Sequence, residues 1–187
     1  MTTPLDETFI DGEVVYDGHF LKVSRDRVAL PDGKITAREY IKHPGAVVII
    51  AVLDDGNVVL ERQFRYPMRR VITELPAGKI DAGEASLACA VRELQEETGY
   101  TASQWDFVCT IHNAIAYSDE HLDIFLARGL VAGPARLDDG EFLEVFSASL
   151  PEMLAMVRDG RITDVKTVIG TFWLEKILDG SWTPGAA

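Results

Sequence analysis

Residues 78–100 constrain this chain more than any other stretch. They read Gly-Lys-Ile-Asp-Ala-Gly-Glu-Ala-Ser-Leu-Ala-Cys-Ala-Val-Arg-Glu-Leu-Gln-Glu-Glu-Thr-Gly-Tyr. Leu87, Val91, Leu94 and Thr98 recur at spacings of four, three and four, the apolar stripe of an amphipathic helix, predicted over about Ser86–Thr98. At ~100° per residue, Glu93 and Glu97 fall together on a flank away from that stripe, with Glu96 beside them. Like charges four apart destabilise a helix by roughly 0.2–0.5 kcal/mol per pair. A solvated face ordinarily mixes signs, whereas this acidic cluster carries only Arg92. A divalent cation would relieve the repulsion. Clustered carboxylate oxygens suit Mg2+, or Mn2+. Mg2+ typically keeps several waters and joins one or two carboxylates to substrate phosphates, so the pattern points to a metal-dependent phosphate enzyme rather than a structural metal cage. Cys89 and Cys109 stand alone and the four His do not cluster, so no zinc pattern competes.

The rest of the composition narrows the class. The net charge of −12 argues against nonspecific nucleic-acid binding, which needs a basic surface. It also requires local cations and bound metal to overcome the global field if the substrate is an anion. No apolar run reaches ~18 residues, so no transmembrane helix is expected. Met1–Glu7 has neither a basic start nor an apolar core, so no signal peptide is expected. Two cysteines do not make a disulfide framework. The expectation is a cytoplasmic protein with no membrane or nucleic-acid partner.

Residues 8–43 read as a strand-rich preface. Its candidate strands are Glu13–Tyr16, Phe20–Leu30 and Ile35–Lys42, with Pro31-Asp32-Gly33 as a turn. Ala46–Leu53 and Val58–Phe64 flank Asp54-Asp55-Gly56-Asn57, a hairpin signal. Val71–Leu75 is a short strand leading into Pro76-Ala77-Gly78. Beyond the acidic helix come strands at Trp105–His112, Leu122–Leu130 and Phe142–Ser147. A helix is predicted at Pro151–Arg158, with Pro in its first turn. Another is predicted from an Asp164 N-cap to about Leu178. Few helices and many strands give an α+β fold with a mixed sheet.

Gly78, Glu84, Arg92, Glu93, Leu94, Glu96, Glu97, Gly99 and Tyr100 fill every place of a motif that resembles the Nudix box, although an aliphatic residue is commoner at the place of Tyr100. The resemblance implies an α/β/α sandwich around a mixed sheet, here with an N-terminal antiparallel strand extension over 1–43 and a hydrolase domain over 44–187. Arg38–Val47, Gln63–Tyr66 and Glu74–Lys79 resemble ADP-ribose pyrophosphatases and related nucleoside-diphosphate-sugar hydrolases. That subfamily implies a homodimer with exchanged N-terminal strands that help form the adenine pocket.

The same resemblance assigns roles. Glu93 and Glu97 would ligate the metal, with Glu96 close by and the Ala77 carbonyl as a further ligand. Glu84 and Arg92 would support them. Arg65 and Arg38 would contact phosphate, and Glu74 would be a substrate-side carboxylate. Simple surface roles for these two arginines, and a strand-end role for Glu74, are the alternatives. Ser118-Asp119-Glu120 matches a loop facing the metals, which makes Glu120 a site candidate. The Pro-rich turn ending in Pro-Gly expected just before it is replaced by His112-Asn113-Ala114-Ile115-Ala116, with Ile115 at the proline's place. The catalytic base would come from the loop 132–141, with Glu141 first and Asp139 second. An ordinary solvated acidic turn is the alternative there. Phe20 would stack on adenine or else belong to the core.

The implied reaction is hydrolysis of ADP-ribose to AMP and ribose 5-phosphate. Another nucleoside diphosphate sugar (such as a GDP-sugar), a dinucleotide, or a non-catalytic nucleotide-binding module are the alternatives.

Overall fold

The computed structural model describes residues 4–187; Met1–Thr3, the start of the N-terminal stretch considered above, lie outside the described residues. Two compact units form. One comprises the described residues up to Pro44 together with His112–His121, and the other Gly45–Ile111 with Leu122–Ala187.

In the first unit, β1 (Thr8–Asp17), β2 (Lys22–Ala29) and β3 (Ile35–Ile41) make an antiparallel sheet in that order. The predicted turn closes β2 onto β3: the Leu30 amide donates to the Lys34 carbonyl at 2.8 Å. All ten residues of β1 are exposed, among them Phe9, Val14 and Tyr16. Phe20 is 72% exposed, so the core role considered for it is not realised. The segment 112–121 joins this unit through the Ile41–Ser118 bridge, and the Asp119 carboxylate accepts from the His43 amide at 2.8 Å.

The second unit is built on β4 (Ala46–Ala51), whose six residues are all buried. A strand apolar on both faces needs cover on both. Val47, Ile49 and Ala51 cluster with Cys89, Ala90 and Leu94 of α1 (Ser86–Thr98). Val48 and Ile50 cluster with Met153 of α2 (Leu150–Arg158) and Leu174 of α3 (Val165–Leu178). One helix therefore covers one face and two cover the other, an α/β/α arrangement. β4 pairs in parallel with β9 (His121–Ala132) and antiparallel with β7 (Ala77–Lys79), in a sheet completed by β8 (Tyr100–His112) and β11 (Gly185–Ala186). A second sheet orders β10 (Leu143–Ala148), β5 (Val58–Arg65) and β6 (Arg70–Glu74).

The hairpin expected around Asp54–Asn57 is only half realised. The turn forms, with the Leu53 amide donating to Asn57 at 2.8 Å, but β4 and β5 touch at a single bridge, Val52–Val58, and enter different sheets. The reason is that both edges of β4 are taken, by β9 and β7, which leaves β5 to pair with β6 and β10 instead. β7 and β11 were not anticipated from the sequence. Both predicted helix starts carry caps: Ser149 and Glu152 form a capping box, and the Asp164 side chain accepts from the Thr167 amide. Among the described residues, no helix is long and apolar enough to cross a membrane.

Gly170 brings α3 close to the sheet: a Cβ there would lie 2.6 Å from Leu75 Cδ1 and 3.5 Å from Ile50 Cγ1. Gly170→Val should therefore destabilise the fold by about 1–3 kcal/mol through overpacking, measured by urea denaturation.

Candidate active site

The acidic helix runs over the predicted residues, but it turns its acids inward. Cys89, Ala90, Leu94, Glu97 and Thr98 are buried, whereas Val91 is 42% exposed. In helical projection Glu93 and Glu97 lie between Cys89 and Ala90, in the middle of the covered arc. They do not occupy a flank away from the core, as the Leu87–Val91–Leu94–Thr98 stripe suggested. Small side chains at 89 and 90 let the helix approach the sheet closely, and this sets the rotation.

Two glycines fix the ends. A Cβ on Gly78 would overlap the Glu93 carboxylate, so Gly78 is required for space. Gly99 terminates the helix at φ +75, in the left-handed region, and a Cβ there would come within 2.8 Å of the Ala135 amide. The Arg136 amide donates to the Glu96 carbonyl at 2.8 Å. The loop 132–142 is thereby docked on the end of α1.

Arg92 is the hub of the helix's outer edge. Its Nε and Nη2 bind the two oxygens of Glu84, each at 2.9 Å. Its Nη1 reaches Glu93 at 2.7 Å and Glu96 at 2.9 Å. The bidentate contact holds Glu84 down to about 2. Burial raises Glu93 above the usual range, and Arg92 partly offsets that. Burial and the neighbouring Glu84 and Glu93 push the Cys89 thiol up to about 12, which leaves it inert as a nucleophile.

Glu97 is 5% exposed. Its Oε2 accepts from the Ala77 amide at 3.0 Å. Burial, with the charges of Glu61, Glu93 and Glu141 nearby, pushes its carboxyl up to about 10. Sequence reasoning missed Glu61, which is fully buried on β5 with neither carboxylate oxygen hydrogen-bonded. Burial and the charge of Glu74, its partner across the strand pair, raise it to about 8. A glutamate closing the apolar run Val58-Val59-Leu60 is the one sequence signal it gave.

Glu74 is 3% exposed. Arg65 grips it with two bonds of 2.7 and 2.9 Å, and Lys166 donates to it. Burial opposes its charge, but these two cations hold its carboxyl below the usual range. Lys166 also binds Asp164 at 3.0 Å. Glu141, at the end of the Asp138–Glu141 turn, accepts from Gln63 at 3.1 Å, and its charge acts on Glu61, Glu93 and Glu97. Asp139, the second choice, is exposed at the turn.

Glu61, Glu93 and Glu141 thus all come within electrostatic reach of Glu97, and Arg65 within reach of Glu61 and Glu97. Among the described residues no three acidic, His or Cys side chains form a ready metal cage. Arg92 and the Ala77 amide hold some of the oxygens. Even so, excess buried negative charge and an unsatisfied carboxylate are what a hard cation would neutralise, and Mg2+ needs only one or two carboxylates with water and phosphate. The residues fit that cation.

Arg38, Phe20 and Glu120 belong to the first unit. Arg38 binds Glu7 at 3.0 and 2.6 Å. Glu120 lies 3.6 Å from His43 Nδ1, and Ile115 is 82% exposed.

Comparison with known proteins adds names to this geometry. Residues 42–166 match the NUDIX domain model, and residues 7–41 match the nucleoside diphosphate sugar hydrolase N-terminal domain. An ADP-ribose pyrophosphatase of Bacillus subtilis is 38% identical over 91% of this chain and 94% of its own length. A methanol dehydrogenase activator of Bacillus methanolicus is 36% identical over 91% of this chain and 93% of its own. The solved structure of an ADP compounds hydrolase superposes with a TM-score of 0.86, covering 96% of this chain and 98% of that one at 22% identity, a likeness of fold.

Gly78→Ala should leave the fold standing, because the displaced atoms end a flexible side chain, but it should expel the Glu93 carboxylate. We expect Mn2+ affinity, measured by calorimetry, to fall at least about tenfold.

Proposed function

This chain belongs to the Nudix family, and from that premise we propose that it hydrolyses the diphosphate linkage of ADP-ribose, giving AMP and ribose 5-phosphate. The observation that carries the reading is the buried carboxylate cluster of α1 with Arg65 beside it. A diphosphate resists attack because its charge repels nucleophiles, and cation-binding acids next to an arginine are what its cleavage needs. The name of the Bacillus subtilis relative, and the match of residues 7–41 to a nucleoside diphosphate sugar hydrolase domain, support the substrate.

In this reading Glu93 and Glu97 would hold Mg2+ or Mn2+, with Glu96 and the Ala77 carbonyl as further oxygen donors. When bound, the cation neutralises diphosphate charge and acidifies a water. Glu141 takes the proton of the attacking water, steadied by Gln63. Arg65 is aimed at a phosphate by its bidentate grip on Glu74, so Glu74 acts through Arg65. Arg92, fixed by Glu84, holds Glu93 over Gly78. Within the first unit, Arg38, Phe20 and Glu120 keep the phosphate, adenine and carboxylate roles that the family resemblance implies. The exposed apolar residues of β1 support a homodimer that covers them; exchanged N-terminal strands and a cytoplasmic location are part of the same proposal.

The same bond in another nucleoside diphosphate sugar is the second reading, favoured by Ile115 at the place of the expected proline. A substrate panel in 18O-labelled water with Mg2+ decides between them. ADP-ribose should give the highest kcat/KM, with label in one of its two phosphate products. A GDP-sugar outrunning it would transfer the proposal to that substrate. Glu97→Gln should lower kcat by at least about a hundredfold while the protein stays folded; near-normal turnover in that variant at saturating Mg2+ would end the assignment.

A further inference from the structure

We infer that Glu61 is a ligand of the divalent cation, a carboxylate contributed by β5 and shared with Glu97 of α1. The inference rests on the reading of the cluster as a cation site.

Strand alternation aims the side chain. Val59, Glu61, Gln63 and Arg65 share one face of β5. Val59 lies in the same apolar cluster as Leu94 of α1, so this face looks toward the acidic helix. Gln63 reaches Glu141 from it, and Arg65 reaches Glu74. Of the neighbouring charges, that of Glu61 acts on Glu97 more strongly than that of Glu93 does.

The partners are missing on the protein side. Glu61 is 0% exposed, and neither oxygen accepts a hydrogen bond. The nearby cations are committed elsewhere: Arg65 gives Nε and Nη2 to Glu74, and Lys166 divides its ammonium between Glu74 and Asp164. In the ladder, Glu61 faces Glu74 on one side and Val145 on the other. Like charges directly opposite destabilise a sheet, and a buried carboxylate with no partner costs more than the apolar residue that would fit there. A bound water could supply a hydrogen bond but no charge. A hard divalent cation supplies both the charge and the need for oxygen donors.

Mn2+ titration of the metal-free full-length protein tests this, with free Mn2+ followed by electron paramagnetic resonance and thermal unfolding measured with and without Mn2+. We expect Glu61→Gln and Glu61→Val to bind Mn2+ at least about tenfold more weakly than the unsubstituted protein. Their melting temperatures should also rise less on Mn2+ addition. Glu61→Val should melt no lower than the unsubstituted protein without metal, which keeps the test open if the Gln variant folds poorly. Folded variants with unchanged Mn2+ affinity would overturn the inference and leave the hydrolase reading standing. An unsubstituted protein that takes up no Mn2+ and cleaves no diphosphate would overturn both.

Discussion

Glu61 and Glu97 are buried carboxylates whose charge is opposed by burial and by the acidic groups around them, and a cation would relieve that opposition. Desolvation, reinforced by the charge of neighbouring carboxylates, drives protons onto both. The elevated values of Glu61 and Glu97 express that conflict in the metal-free chain. Much of the local architecture serves to hold the groups together in spite of it. Gly78 makes room for Glu93, and the small Cys89 and Ala90 rotate α1 so that Glu97 points inward. The 132–142 loop docks on the helix end and delivers Glu141.

Two cationic networks bound the cluster and divide the work. Arg92 binds Glu84, Glu93 and Glu96 on the outer side. It restrains the helix acids without entering the interior. On the strand side, Arg65 and Lys166 both bind Glu74. The N-cap of α3 joins that network: Asp164 Oδ2 accepts from the Thr167 hydroxyl, and the hydroxyl oxygen accepts from the Leu75 amide at 2.9 Å. The start of α3, the end of β6 and Arg65 are therefore mechanically one piece. Neither network donates a hydrogen bond to Glu61, whose two carboxylate oxygens are left without a partner.

The sequence made the elements legible and the rotations less so. The limits of α1 could be read from Ser86 to Thr98 because periodicity and Gly99 agree. The facing of the helix could not, because an apolar stripe defines a buried arc only when the acids are truly on the outside. Here Val91 sits at the rim and Glu97 near the centre. The Asp54–Asn57 turn was legible, but whether its two strands pair depends on β9 and β7 taking both edges of β4, which no local signal encodes. Glu61 was invisible because a glutamate after Val58-Val59-Leu60 reads as the solvated end of a strand. Lys166 was hidden in the first turn of a helix, where a lysine usually faces water. In the first unit, the turn at Pro31–Gly33 was plain, and so was the departure at Ile115, a polar-loop position occupied by an exposed apolar side chain.

The central claim is that the carboxylate cluster is unbalanced without a cation, and the pH dependence of metal-free stability tests it most directly. Glu61 and Glu97 have folded values of about 8 and about 10, against an ordinary 4.5. A carboxyl raised in this way holds its proton more tightly in the folded chain, so its contribution is complete below the ordinary value and is lost as pH rises toward the folded one. The metal-free protein should therefore lose thermal stability between about pH 5 and about pH 8, and Mg2+ should restore more of it at the upper end than at the lower. Metal-free stability that stays level or rises across that window would contradict the account.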